Sequence, residues 1–219
     1  MYNLTLVIFT LGSLISMRDR SLSRRERKKL ETRQRLLEAA LRLFQEQGYD
    51  DMTVEEIAEA ADVAKGTFFN YFEAKELILP ALAQWRFQQL EELLAAGSNL
   101  PDSPVARIKL ALGLVAEDPL ADPSLMRRLF AVQETDFDVH PAHALTNLLA
   151  GLVRQAQASG EIRPDLAAIH VGGMVRALFF HQLMSYHLGC RPASLSELLD
   201  QTVDLMLDGV AGPSWRQAS

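Results

Sequence analysis

Four polar side chains between residues 65 and 71 could hydrogen-bond to the phosphates or base edges of DNA: Lys65, Thr67, Asn70 and Tyr71. Phe68 and Phe72 are interleaved with them and lie four positions apart, so a helix that buries both rings turns the polar residues outward. Phe69 joins this outward set. A short helix with such a face is typical of segments that enter the major groove.

The rest of the sequence has no pattern typical of catalysis. It contains no glycine-rich phosphate loop, nucleophile elbow or metal triad. His140 and His143 are spaced as two zinc ligands could be, but two ligands, one beside a proline, indicate a metal site only weakly. The lone Cys190 cannot form an intrachain disulfide, which favours a reducing cytoplasm, and a redox role is less favoured than an incidental thiol. We therefore predict no enzyme, cofactor or metal site.

A long amphipathic helix is predicted ahead of the polar segment. From about Glu26 onward apolar residues follow helical spacing, with Leu37, Ala40 and Phe44 on one face. Gly48 is a plausible left-handed stop for this helix. Its basic N-terminal half is then able to approach a DNA backbone.

The second predicted helix has a complete start signal. Thr53 and Glu56 match the S/T-x-x-E capping box, and Met52 and Ile57 occupy the staple positions around it. After a short break at residues 62–63 another helix can begin near Lys65. Two short helices joined by a tight turn form a helix-turn-helix.

The net charge of −6 hides a strongly basic segment. Residues 18–35 contain nine Lys or Arg and three acidic residues, a local charge of +6, so the remainder carries −12. A cationic segment on an acidic body is typical of localised phosphate contact. A solvated basic tail is the alternative interpretation.

An apolar leader, residues 1–17, precedes the basic segment and contains no charge. It is shorter than the ~20 apolar residues of a spanning helix, and its flanking charges follow rather than precede it, unlike those of a secretory signal. We interpret Met17 as the biological start. A membrane anchor is the alternative.

The sequence TVEEIAEAADVAKGTFFNYFEAKELIL, residues 53–79, closely resembles the DNA-binding signature of the tetracycline-repressor (TetR) family. The resemblance extends back through LLEAALRLFQEQGYDDMT and joins many positions at fixed spacing. It implies an all-α protein with an N-terminal three-helix helix-turn-helix domain and a larger helical domain for ligand binding and dimerisation.

The resemblance also implies roles for individual residues. Phosphate contacts position such a domain, whereas contacts to base edges specify the sequence. Asn70 is the best candidate for reading sequence, because its amide can pair with adenine through two hydrogen bonds. A flexible turn residue and a surface amide are the alternative interpretations of Gly66 and Asn70. The implied phosphate contacts are Thr53, Tyr71 and Lys75, and the residues nearest the bases are Lys65, Gly66, Thr67 and Asn70.

Four positions depart from the family pattern. Asp62 stands where the turn commonly has glycine, and it tolerates a left-handed conformation less well. Phe69 replaces a common tyrosine and lacks its phosphate-directed hydroxyl. Ala64 and Ala74 stand where capping hydroxyls are usual.

A connecting helix is predicted from about Lys75. Pro80 would fall beyond its first turn, remove one backbone hydrogen bond and kink the helix. We consider two explanations of this kink, a lever through which a ligand moves the DNA-binding head and a benign bend.

Further helix starts are predicted at Ser103-Pro104, Asp122-Pro123, His140-Pro141 and Pro164-Asp165, and at the capping box from Ser194 to Glu197. No strand pattern appears. The predicted organisation is a leader (1–17), a DNA-binding domain (18–79), a helical ligand-binding and dimerisation domain (80–212) and a tail (213–219).

The last two predicted helices, about 165–188 and 195–208, carry apolar residues on more than one face. A helix that is apolar on two sides needs two partners, so these helices are predicted to form a homodimer interface. A dimer would set two recognition helices about one DNA turn apart on a near-palindromic operator.

An apolar cavity in the helical domain could bind an unidentified small-molecule effector. For any one of the candidate side chains an ordinary core role is the favoured interpretation, and His181 and His187 are possible polar additions. The candidate pocket residues are Trp85, Phe130, Gln133, Phe137 and Phe179.

Together these features predict a cytoplasmic DNA-binding transcriptional repressor that a small molecule releases from its operator. Two alternatives remain from the sequence, a helical enzyme without the usual motifs and a membrane-tethered helical interaction protein that depends on the leader.

Overall fold

The computed structural model describes residues 23–96, 100–131, 141–189 and 193–208 of the 219-residue chain. No helix in these ranges has the length and apolarity needed to cross a membrane. Outside the described residues lie the leader with Met17, the tail 213–219, and four residues named above: Gln133, Phe137, His140 and Cys190.

The described chain is all-helical, which confirms the predicted fold class. It contains nine α-helices, two short 3-10 helices and no strand within the described residues. The 3-10 helices are Lys75–Leu77 and Pro119–Ala121. The α-helices are α1 (Arg24–Gln47), α2 (Val54–Ala60), α3 (Lys65–Phe69), α4 (Ile78–Ala96), α5 (Pro104–Ala116), α6 (Pro123–Ala131), α7 (Pro141–Ala158), α8 (Ala168–His187) and α9 (Leu195–Asp208).

The chain divides into two compact units. Unit 1 comprises Met1–Leu93 and Ser124–Pro141, and unit 2 comprises Leu94–Pro123 and Ala142–Ser219. Unit 1 therefore contains α1–α3, most of α4 and α6, whereas unit 2 contains α5, α7, α8 and α9. The domain boundary at residue 79 stays a prediction.

In unit 1 the core forms where α1, α2 and α3 meet. Leu36 and Leu37 of α1, Ile57 of α2 and Phe68 of α3 are all fully buried. Burying such side chains contributes about 1.5–3 kcal/mol each to folding. Helix α1 ends as predicted at Gly48, whose φ of 85° lies in the region that favours glycine.

In unit 2 helices α7 and α8 approach each other closely at Gly172. A Cβ built at this residue would lie 2.9 Å from the backbone nitrogen of Ala150 and 3.1 Å from the carbonyl oxygen of Thr146. Only a glycine fits such a backbone contact. Elsewhere in unit 2 the carboxylate of Glu161 accepts hydrogen bonds from Ser103 Oγ (2.5 Å) and the Val105 amide (3.1 Å), so the loop after α7 caps the start of α5.

Most predicted helix starts are confirmed. Helices α5, α6 and α7 begin at the predicted prolines, and the box from Ser194 to Glu197 caps α9 with bonds of 2.9 and 3.3 Å. The predicted start at Pro164-Asp165 is wrong, because α8 begins at Ala168. The Asp165 carboxylate instead binds the Arg163 guanidinium at 2.5 and 2.6 Å, and residues 164–165 form a turn.

The predicted placement of Pro80 beyond the first turn of its α-helix is also wrong. The 3-10 helix Lys75–Leu77 precedes α4, which begins at Ile78, so Pro80 is the third residue of α4. In the first turn of an α-helix the backbone N–H groups have no partner within the helix, and a proline there removes no hydrogen bond. The lever hypothesis therefore loses its premise.

Candidate nucleic-acid interface

The predicted capping box fixes the start of α2. The Glu56 amide donates to Thr53 Oγ1 (3.2 Å), while the Thr53 amide and hydroxyl donate to Glu56 Oε2 at 2.9 and 2.8 Å. These bonds lower the pKa of Glu56. Thr53 is exposed, but its amide and its hydroxyl both donate to Glu56. Neither donor is therefore directed at a phosphate in this structure.

A Schellman motif makes the turn between α2 and α3. The amides of Asp62 and Val63 donate to the carbonyl oxygens of Glu59 and Ala58, both at 2.9 Å. Asp62 has a φ of 54°, so it adopts the left-handed conformation that glycine would adopt more easily. The predicted turn forms without glycine.

Helix α3 is held from behind by two aromatic side chains. Phe68 is fully buried and Phe72 is 4% exposed, with ring centroids 5.4 Å apart, which confirms both as core. Ala64, as predicted, gives α3 no side-chain cap. Because these rings face the core, the opposite side of α3 is turned to solvent.

That solvent side brings together most of the predicted contact residues. Lys65, Gly66 and Asn70 are exposed, and Phe69 is 45% exposed. Thr67 and Tyr71 are half-buried at its edges. The surface offers an ammonium, an amide, two hydroxyls and bare backbone, which are the groups that bind phosphates and base edges.

An acidic residue that the sequence reasoning missed restrains Lys65. Its ammonium forms an ion pair with the Glu55 carboxylate in the first turn of α2, and this bond lowers the pKa of Glu55. Both side chains are more than half exposed. This ion pair links α3 to α2 across the turn. A phosphate or base that binds the Lys65 ammonium must therefore displace the Glu55 carboxylate.

A second missed cluster surrounds Lys75. Its ammonium donates to the Asp50 carbonyl oxygen (3.1 Å) and lies 4.7 Å from the centre of the Tyr49 ring. Arg128 of α6 binds both oxygens of the Asp50 carboxylate at 2.8 and 2.9 Å and lies 5.3 Å from the same ring. Burial raises the pKa of Tyr49, and the nearby Glu76 adds to the effect. Within unit 1 this cluster ties α6 to the loop after α1.

Helix α1 supports the other side of the motif. The Arg33 guanidinium lies 5.7 Å from the centre of the Phe72 ring, and burial lowers its pKa. Arg42 donates to the Ala60 carbonyl oxygen (3.4 Å) at the end of α2. These basic side chains of α1 therefore pack on the helix-turn-helix itself.

The candidate pocket residues are only partly described. Trp85 is half-buried in α4 of unit 1, whereas Phe179 is 1% exposed in α8 of unit 2. The side chain of Phe130, like all of Gln133 and Phe137, lies outside the described part of the chain. His181 and His187 are exposed, which does not support them as interior polar groups.

An apolar cleft lies in unit 2 among α5, α8 and α9. Leu112, Phe179 and Val203 line it together with Thr202, and the gap between these side chains is too narrow to hold a water molecule. Of the candidate pocket residues, Phe179 lines this cleft. His143 is exposed, and the described residues contain no group of three or more potential metal ligands.

Comparison with known protein families gives one match in the helix-turn-helix region. Residues 36–82 match the model of the tetR family of bacterial regulatory proteins. These residues include the C-terminal half of α1, α2, α3 and the start of α4, and they contain every predicted DNA contact.

Similar proteins extend the likeness over most of the chain. The HTH-type transcriptional repressor KstR of Rhodococcus jostii is 29% identical over 192 residues, covering 84% of this chain and 86% of KstR. The HTH-type transcriptional regulator TcmR of Streptomyces glaucescens is 37% identical over 100 residues, 44% of each chain. The crystal structure of Thermus thermophilus FadR, a TetR-family repressor in complex with lauroyl-CoA, is 27% identical, with a TM-score of 0.61, covering 82% of this chain and 95% of FadR.

Proposed function

The chain belongs to the tetR family of bacterial regulatory proteins, and from this premise we propose that it is a ligand-responsive repressor that binds a near-palindromic operator as a homodimer. The exposed side of α3 carries the proposal. Lys65, Gly66 and Asn70 are turned to solvent there, on a segment that the buried Phe68 anchors to the core.

Asn70 reads the operator in this proposal, and Lys65, Gly66 and Thr67 lie nearest the bases. The Asn70 amide can form two hydrogen bonds with an adenine in the major groove. Nothing lies within 4 Å of the position that a Cβ would take at Gly66, so its backbone permits close approach. Phe69 contributes apolar contact, for which a thymine methyl is the matching group.

Thr53, Tyr71 and Lys75 are the proposed phosphate contacts. Lys75 uses one N–H on the Asp50 carbonyl and keeps two further donors for DNA. Thr53 donates to a phosphate only when its hydroxyl turns away from Glu56. Such contacts set the position of the head without specifying sequence.

The proposed homodimer interface is formed by α8 and α9. Met174 and Leu178 of α8 are 58% and 37% exposed, and Leu205 of α9 is 56% exposed. Exposed apolar side chains on two helices that contact each other favour a protein interface. Sedimentation of the purified chain tests this: we expect a dimer, and we expect Met174→Glu with Leu178→Glu to give a folded monomer that binds the operator weakly.

For the effector we propose an acyl-CoA thioester, the class of molecule bound to the Thermus thermophilus relative. The apolar side chains around Phe179 suit an acyl chain, which must push them apart to enter because the gap between them is too narrow for a water molecule. A ligand releases DNA only through different affinities for the DNA-bound and free states. Lauroyl-CoA is therefore expected to lower operator affinity, whereas coenzyme A alone leaves it unchanged; equal effects of the two would overturn this effector class.

Selection of genomic fragments by the purified chain tests the proposal as a whole. We expect the retained fragments to share a near-palindromic motif with half-sites about one DNA turn apart. Retention without any shared motif, or turnover of a ligand in place of DNA binding, would contradict it.

A further inference from the structure

We propose that three cations on one face of α1, Arg25, Lys29 and Arg33, bind the phosphate backbone of DNA beside the operator half-site. We call these residues the α1 stripe. The inference rests on the proposed operator binding and adds a contact surface outside the helix-turn-helix residues named above.

The stripe begins on a helix that is fixed in place rather than on a loose tail. The Ser23 amide donates to the Glu26 carboxylate (2.9 Å) and the Glu26 amide donates to Ser23 Oγ (3.3 Å), which caps α1 at Arg24. Every residue from 23 to 31 is exposed, and Thr32, at 7%, is the first buried one. The first two turns of α1 therefore carry their side chains in solvent.

Packing of Arg33 sets the direction of the stripe. Its guanidinium lies 5.7 Å from the centre of the ring of Phe72, which is three residues beyond the end of α3. Lys29 and Arg25 precede Arg33 by four and eight residues, so all three share one face of α1. At 1.5 Å per residue the stripe is about 12 Å long. It thus leads outward from the end of α3 over a distance of about three to four base-pair steps.

The charge of the stripe is not neutralised nearby. Glu26 uses its carboxylate on Ser23, and this bond lowers its pKa. Within the described ranges no ion pair involves Arg25 or Lys29, whereas Lys65 and Arg128 each have a carboxylate partner. Two free cations that flank a sequence-reading surface favour a polyanion that passes alongside it, and DNA supplies phosphates at this spacing.

Salt dependence of binding tests the stripe. Each phosphate contact adds about 0.9 to the slope of log affinity against log salt, so the double variant Arg25→Ala, Lys29→Ala should lower that slope by about 1.8. Between 0.05 and 0.2 M salt the parent chain should then lose about twelvefold more affinity than the variant. The loss should be equal on operator and unrelated DNA, because phosphates carry no sequence information.

A matched control separates direct contact from net charge. Arg24→Ala with Arg27→Ala removes the same charge from the same turns of α1, but from the opposite face. We expect this control to lower the slope by less than half as much. Both variants change exposed residues only, and equal thermal midpoints would show that both are folded.

Three outcomes would overturn the stripe. The first is an unchanged slope in the stripe variant, and the second is an equal drop in the control. The third is weaker binding of the stripe variant to phosphatidylserine vesicles with no change on DNA, which would assign the face to a lipid surface. Failure of the parent chain to select any shared motif would instead refute the proposed function itself.

Discussion

The close approach of α7 and α8 gives the sharpest prediction on stability. Gly172→Ala places a Cβ 2.9 Å from the Ala150 nitrogen and 3.1 Å from the Thr146 oxygen. Both are backbone atoms, so no side-chain rotation relieves the contact. The two helices must separate by a few tenths of an ångström, which strains the unit 2 core.

The magnitude follows from two opposing effects. Replacing a helix-interior glycine with alanine stabilises a helix by about 0.5–1 kcal/mol. Overpacking of a close contact costs about 1–3 kcal/mol. Gly113→Ala in α5 is a matched control, because nothing lies within 4 Å of its added Cβ. The helix effect cancels between the two variants, so Gly172→Ala should be less stable than the control by about 1–3 kcal/mol.

Thermal and urea unfolding of the two variants measure this difference. For a chain of this size 1 kcal/mol moves the thermal midpoint by about 2–4 °C, so a gap of about 2–12 °C is expected. Protein concentration is held equal, since a dimer's midpoint depends on it. A Gly172→Ala chain as stable as the Gly113→Ala chain would refute the packing argument.

Three further predictions concern the head and the helix caps. Asp62→Gly should stabilise the chain by about 0.5–1 kcal/mol in urea unfolding, because it relieves a left-handed aspartate; a loss of stability would contradict this. A double-mutant cycle on Asp50 and Arg128 should give a coupling no larger than about 1 kcal/mol, since the pair is substantially exposed; a coupling above 2 kcal/mol would show a buried network instead. Hydrogen bonds to the capping residues hold the pKa of Glu56 and Glu197 below the ordinary 4.5, so their stabilisation is present above that pH and is lost as the pH falls through the lowered pKa. The thermal midpoint of the parent chain should therefore fall more steeply below pH 4.5 than that of the Glu56→Gln, Glu197→Gln chain; parallel pH profiles would be the contrary result.

Features set by neighbours in sequence could be predicted well. The Thr53 and Ser194 capping boxes, the glycine stop at Gly48 and the buried pair of phenylalanines all involve residues within a few positions of each other. Their signals lie entirely in local spacing. This is why the helix-turn-helix was predicted nearly residue by residue.

The errors arose where two local signals competed. Proline occurs both at helix starts and at helix breaks. Which of the two Pro80 marks depends on the 3-10 helix Lys75–Leu77, and the spacing of apolar residues does not reveal that helix. At Pro164-Asp165 the proline and aspartate resemble the start of a helix, but the Asp165 carboxylate accepts hydrogen bonds from the Arg163 guanidinium instead.

Contacts between distant segments could not be predicted at all. Arg128 and Asp50 are 78 positions apart, and no motif links them. The same holds for Gly172, whose need for glycine comes from α7 rather than from its own helix.

The central claim is that Asn70 on the exposed side of α3 reads the operator, and a base-substitution scan of the selected operator tests it most directly. Affinity is measured for each altered base pair with the parent chain, with Asn70→Ala and with the control Gln155→Ala, which removes an exposed amide from α7. We expect the parent and control chains to discriminate one symmetric position in each half-site by about 1–3 kcal/mol, and Asn70→Ala to lose that discrimination while other positions keep theirs. Unchanged discrimination in Asn70→Ala, or a uniform loss at every position, would contradict the claim.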